Sequence, residues 1–155
     1  MATPDNVIRP DRVLSNLKVS SKKQLLQELS KVGGELTGLH ERQVFDTLVE
    51  RERLGSTGMG AGIAIPHGRL EGLDRVYEVF VKLDRGVDFE AIDGQPVDLL
   101  YLLLAPQEAG ADHLKALARV SRLLRDASTV AKLRGTDSAE ALMSVLQSQD
   151  SANAA

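Results

Sequence analysis

The amino-acid sequence predicts a layered α/β domain, on three observations. Apolar residues recur at helical spacing in the first third of the chain and again in the last third. Strand-like runs fill the middle, and the most apolar of them, Val97 to Leu104, has the near-continuous hydrophobicity of a central strand covered on both faces. At 155 residues, 43% of them hydrophobic and 26% charged, the chain is long enough to bury most of its apolar surface in one core. No repeat, long linker or composition shift divides it, so one domain is expected over residues 1–155. Its ordered core should cover about 7–147, with mobile polar ends at Met1 to about Asn6 and at Gln147 to Ala155.

Ser21-Lys22-Lys23-Gln24 has capping-box spacing, and Leu25, Leu26, Leu29, Val32 and Leu36 follow on one helical face. Gly33-Gly34 weakens the end of that helix and Gly38 closes it. A second helix runs from about Glu41 to Leu54, with Val44, Phe45, Leu48 and Val49 inward and Gly55 as its stop. Strands follow at Gly62 to Ile65, at Val76 to Leu83 and at Val97 to Leu104. In the second of these Tyr77, Val79, Val81 and Leu83 share a side; Asp84-Arg85-Gly86 and Asp93-Gly94 supply turns. A helix from near Asp112 carries Leu114, Leu117, Val120 and Leu124 on one face. A short helix capped by Asp126 or Ser128 comes next, through Val130 and Leu133. Asp137 with Glu140 caps the last helix, which packs through Ala139, Leu142, Met143 and Leu146.

Composition narrows the function. The absence of Cys removes disulfides and thiolate metal sites and suits a reducing compartment. A net charge of −3 and 3% aromatic residues, with no Trp, argue against a nucleic-acid partner. Met1 leads into polar ATPDN with no signal-peptide core, and the longest apolar stretch, Leu99 to Ala105, is too short to span a bilayer. A cytoplasmic location without membrane insertion is the expectation.

Residues 55–69, GSTGMGAGIAIPHGR, concentrate five glycines before and after a short apolar run. A dinucleotide fingerprint requires a strand before the glycines and a helix after them, which reverses the order here, and no Gly-Lys-Ser/Thr exists for a phosphate loop. The glycines serve either a turn with close backbone packing or, through Gly58, Gly60 and Gly62, amides open to an anionic partner. His67 follows Pro66 beyond the strand end, a place that ligand sites in open α/β sheets favour. His113 is in line with Leu117, Val120 and Leu124 and lies in a first helical turn, where the dipole disfavours imidazolium and suits a neutral donor. Each histidine alone fits a structural role as well. Arg51 and Arg53 end the preceding helix; Arg53 fits a dipole partner, and Arg51 can reach into the strand-end cleft. His40 fits a solvated surface residue, and the three histidines lack the spacing of a metal site.

With these residues in place, the sequence resembles the IIA proteins of the phosphoenolpyruvate-dependent phosphotransferase system, fructose/mannitol class, nitrogen-regulatory type. The resemblance covers about Val7 to Gln147. It rests on Arg51-Glu52, on GSTGMGAGIAIPHG and AIDGQPVDLLYLLLAP, and on His113-Leu114 followed by LARVSRLL. It implies a three-layer α/β domain with a mixed sheet of about five strands and helices on both faces. It further implies that His67 is the phosphorylated histidine, with His113 and Arg51 as the other active-site residues. The implied chemistry is transfer of a phosphoryl group from the phosphohistidine of an HPr-like carrier (NPr in the nitrogen branch) to neutral His67. Charge stabilisation would come from His113 as donor and Arg51 as cation, with help from the loop of Ser56, Thr57, Gly58, Gly60 and Gly62. No nucleotide, metal or other cofactor is required. The resemblance also implies regulation of target proteins, such as components of potassium transport or stress signalling, according to phosphorylation state. Two alternatives stay open: a sugar-specific IIA passing phosphate to a separate IIB protein, and a regulatory module that binds without being phosphorylated.

Overall fold

The computed structural model describes the backbone of residues 8–154 and the side chains of residues 8–148. The expected mobile start of the chain lies outside the described residues. Arg12–Leu17 forms β1, Lys22–Thr37 forms α1 and Glu41–Arg53 forms α2. Gly58–Gly60, Ile63–Ala64 and His67–Leu70 form the short strands β2, β3 and β4. Tyr77–Val87 and Val97–Pro106 are the long strands β5 and β6. Gly110–Arg125, Ala127–Arg134 and Ala139–Ala154 complete the described chain as α3, α4 and α5. The last helix thus continues past Gln147, where a mobile end was expected.

The sheet is mixed and has six strands among the described residues, one more than the expected five or so, in the order β1-β5-β6-β3-β2. β4 also pairs with β6, further along it than β3. β6 runs antiparallel to β5 and parallel to β3 and β4. Its unbroken apolar run is two interleaved faces. Leu100, Leu102 and Leu104 join Val79, Val81 and Leu83 under α1 and α2, while Leu99, Tyr101 and Leu103 join Phe80 under α3, α4 and α5. The expected three layers, with helices on both faces, result from that alternation.

Local chemistry sets most boundaries. The Ser21 side chain accepts from the Gln24 amide at the start of α1, but Gln24 Oε1 reaches back to the amide of Ser20, 2.7 Å away, and not to that of Ser21. Gly33 does not weaken α1. A Cβ there would lie 2.9 Å from Leu104 Cδ1 and 3.2 Å from Val44 Cγ1, so its bareness lets α1 approach the sheet and α2 closely. Asp126 caps α4 through the Thr129 amide. The cap of α5 is Ser138, whose Oγ accepts from the Ala141 amide at 3.1 Å; Asp137 instead faces Lys82 at 3.5 Å. Asp84-Arg85-Gly86 is not a turn: β5 runs through it, with an irregular register between Lys82 and Val87.

What places the site is a pause in one strand line. Ile63 pairs with Leu99 and His67 with Leu103, so β3 and β4 follow each other along β6 across the Ile65-Pro66 step. His67 therefore opens a strand, where a position beyond a strand end was expected.

Candidate active site

Three elements converge on one cleft. β4 contributes His67, the last full turn of α2 contributes Arg51, and the first turn of α3 contributes His113. α2 can lie against β4 because Gly68 has no side chain: a Cβ there would stand 2.6 Å from Thr47 Cγ2. Arg51 then reaches the imidazole, with Nε 3.2 Å from His67 Nε2, while its NH1 donates to the Gly55 carbonyl at 2.9 Å.

This contact decides the tautomer. An arginine Nε–H only donates, so His67 Nε2 accepts and carries the lone pair. The ring proton is then on Nδ1, which donates to the Ile65 carbonyl at 2.9 Å. Burial lowers the His67 pKa below its ordinary 6.5, and the cationic neighbours Arg51 and Arg69 lower it too, against the Ile65 carbonyl and Glu52. Burial thus favours the neutral imidazole, whose unprotonated Nε2 is the nitrogen that Arg51 meets.

His113 lies edge-on to His67, with ring centroids 5.4 Å apart and planes at 69°. It is 5% exposed, which fits the inward direction read from its helical spacing, and its buried Nδ1 has no hydrogen-bond partner among the described residues. Its pKa is also lowered, first by burial, then by His67 and Arg69. Two neutral imidazoles therefore share a site flanked by guanidinium groups, an arrangement suited to an incoming dianion.

The cleft holds about 700 Å³ and is open to solvent. Arg53 and Arg69 stand at its rim with two exposed leucines, Leu54 at 85% and Leu114 at 61%. The expected inward position of Leu114 is thus wrong: the buried stripe of α3 is His113, Ala116, Val120, Leu123 and Leu124. Arg53, expected as a dipole partner, also lines the cleft. Arg69 went unnoticed in the sequence, although its spacing of two from His67 on a strand places both on one side. His40 is exposed as expected and, in addition, caps α2 by accepting from the Arg42 amide at 3.1 Å.

The loop residues are placed differently from the expectation. Ser56, Thr57, Gly58, Gly60 and Gly62 do not line the cleft. Gly58 and Gly60 form β2, which pairs antiparallel with β3. The Gly58 amide donates to Ser56 Oγ at 3.0 Å, and a Cβ on Gly58 would stand 2.9 Å from Ala91 Cα. Gly62, at φ 81°, lies against the Arg134 guanidinium. The glycines permit a tight hairpin, and the Gly58 amide is engaged within it. Glu52, next to Arg51, is held under this hairpin by Thr57 and Lys22.

An open mixed sheet thus carries a histidine-centred, cation-flanked cleft at a strand junction, a setting whose chemistry suits an anionic group. The chain belongs to the family described as phosphoenolpyruvate-dependent sugar phosphotransferase system, EIIA 2, whose model matches residues 6–149. It is a phosphotransferase component of that system. Within the family, it is similar to nitrogen regulatory proteins and, at 32% identity over 136 residues, to a fructose-specific EIIABC component from Bacillus subtilis, covering 87% of this chain and 21% of that one. The one from Bradyrhizobium diazoefficiens is 56% identical over 141 residues, covering 91% of this chain and 92% of its own. The one from Escherichia coli is 39% identical over 142 residues, covering 91% and 87%. The crystal structure of nitrogen regulatory protein IIA-Ntr from Neisseria meningitidis superposes with a TM-score of 0.82 at 36% identity, over 92% of this chain and 94% of that one. No helix among the described residues is long and apolar enough to cross a membrane.

Proposed function

We propose that this chain is a phosphohistidine carrier of a nitrogen-related phosphotransferase system, accepting a phosphoryl group from an HPr-like (NPr) protein onto Nε2 of His67. The observation that carries the reading is the pair of bonds on that ring. Arg51 marks Nε2 as the lone-pair nitrogen, and the Ile65 carbonyl holds the proton on Nδ1. The Nε2 lone pair attacks the donor's phosphorus in line. The P–N bond of the donor breaks as the new P–N bond forms, and Nδ1 keeps its proton. The phosphorylated ring carries positive charge, which the Ile65 carbonyl supports. Arg51 releases Nε2 and turns its guanidinium onto the phosphoryl oxygens, and His113 donates to them from the start of α3. The rim of Arg53, Arg69, Leu54 and Leu114 suits a protein donor, since it pairs apolar contact with positive charge around the phosphoryl path. The cytoplasm is the compartment where such a donor and this cysteine-free chain would meet. Output follows from the change at the same rim: a dianion at His67 alters the surface that target proteins read, and the nitrogen-regulatory name of the relatives supports a regulatory output.

Incubation with phosphoenolpyruvate, the first enzyme of the system and an HPr-like carrier, read by intact mass, tests the proposal. One acid-labile phosphoryl group is expected, absent in His67→Ala. His113→Ala should slow labelling while leaving the fold intact. Labelling that persists without His67 would remove that residue from its role.

A further inference from the structure

Glu52 follows Arg51 directly, yet it does not line the cleft and acts on His67 only through its charge among the described interactions. Its side chain is 5% exposed, so a carboxylate has been withdrawn from water. Burying that charge is costly unless it is well satisfied, and here it is. Glu52 Oε1 accepts from the Thr57 amide at 3.1 Å and pairs with Lys22 Nζ at 3.0 Å. Oε2 accepts from the Thr57 hydroxyl. Lys22 is in turn seated over the Phe89 ring, 4.5 Å from its centroid.

The bonds leading away from this anchor end at both reacting groups. The Thr57 carbonyl accepts from the Ile65 amide at 3.2 Å, and the Ile65 carbonyl holds the Nδ1 proton of His67. On the other side, the chain between Glu52 and Thr57 includes Gly55, whose carbonyl holds Arg51 NH1. Two carbonyls, one orienting the proposed nucleophile and one orienting the cation, are thus both tied to the residue that Glu52 pins, beside the Ser56 Oγ bond to the Phe89 carbonyl at 2.8 Å.

We propose that Glu52 is a positioning residue for phosphoryl acceptance. By pinning Thr57 it aims the Ile65 carbonyl at Nδ1 and the Gly55 carbonyl at Arg51, which keeps the lone pair on Nε2 and the guanidinium beside it. Without the pin, the 55–57 segment loosens, the Ile65 carbonyl drifts, and His67 samples the other tautomer, whose Nε2 carries a proton and cannot attack. The inference rests on His67 being the acceptor, so its test reads the ring directly as well as the transfer.

Long-range proton–nitrogen NMR of the His67 ring and the rate of phosphoryl uptake are measured in wild type, Glu52→Ala, Glu52→Gln and Thr57→Val. Wild type should show the Nδ1–H tautomer alone. Glu52→Ala should show a tautomer mixture and about 10- to 100-fold slower uptake, the range expected when supporting bonds around a reacting group are lost. Glu52→Gln should keep both properties, since its amide can still accept from the Thr57 amide and meet the hydroxyl. Thr57→Val, which keeps volume and loses only the hydroxyl, should shift both readouts in the same direction by less, and it decides the matter if Glu52→Ala fails to fold. A folded Glu52→Ala, or in its absence Thr57→Val, with an unmixed tautomer overturns the inference, whatever its rate. A wild type that takes up no phosphoryl group overturns the function proposed above, while a shifted tautomer in the variants would still support the anchor.

Discussion

Gly68→Ala perturbs the site without touching a reacting atom. Gly68 is buried in β4, and an added Cβ would lie 2.6 Å from Thr47 Cγ2, with Thr47 Cβ next at 3.8 Å and Leu48 Cδ2 at 3.9 Å. Real Cβ atoms do not tolerate 2.6 Å. Thr47 cannot swing its methyl aside freely, because its hydroxyl donates to the Gln43 carbonyl at 3.0 Å and so holds the rotamer. The remaining relief is for α2 to retreat from the sheet. Overpacking of this kind costs about 1–3 kcal/mol, or a melting temperature lower by roughly 2–12 °C for a chain of this size. Arg51 is one helical turn beyond Thr47, so the same retreat lengthens its 3.2 Å contact with His67. Thermal melts and phosphoryl uptake are measured for Gly68→Ala, Thr47→Ala and the double variant. Thr47→Ala should be mild, and the double variant should recover most of both losses, with a coupling energy of at least about 1 kcal/mol. An unshifted melt in Gly68→Ala, or no rescue by Thr47→Ala, would refute the close-approach argument.

Three further outcomes follow from the same geometry. Arg51→Lys keeps the charge but loses the Nε donor and the fork, so uptake should fall at least about tenfold, checked by quenched-flow labelling. His67 and His113 both have folded pKa values below 6.5, so the unfolded chain takes up protons first: stability should be full above pH 6.5 and decline as pH drops through 6.5 toward the lowered folded values. Urea denaturation at several pH values should show that slope weakened in His113→Ala. Lys82 is 11% exposed and donates to the Arg134 and Thr136 carbonyls at 2.8 and 2.6 Å, so Lys82→Met should cost about 2 kcal/mol in the same assay without slowing uptake.

Much of this fold was legible because its signals are local. Ser21 with Gln24, and Asp126, are caps whose partners lie three residues on, and the β6 run needed no tertiary information to be read as central. β1 escaped notice because Asn16, at φ 57°, breaks the alternation where the register shifts. β2 escaped because glycine has poor strand propensity, and only pairing with β3 makes Gly58–Gly60 a strand. Ser138 displaced Asp137 as a cap because Lys82, distant in sequence, faces the carboxylate. In the site, His67, His113 and Arg51 could be nominated from their places at element ends. The tautomer, the two rim leucines and the seat of Glu52 could not, since each depends on where α2 and the hairpin come to lie against the sheet. Of the two roles the sequence left open for the glycines, the hairpin and its close packing are visible in Gly58 against Ala91, which only the position of that neighbour in space could show.

The central claim concerns one nitrogen atom. In protein labelled with nitrogen-15 histidine and phosphorylated through the phosphoenolpyruvate chain, proton–nitrogen correlation should show phosphorus bonded to Nε2 of His67, with Nδ1 still carrying its proton. A phosphoryl group on Nδ1 of that ring, or on His113 or His40, would contradict the account.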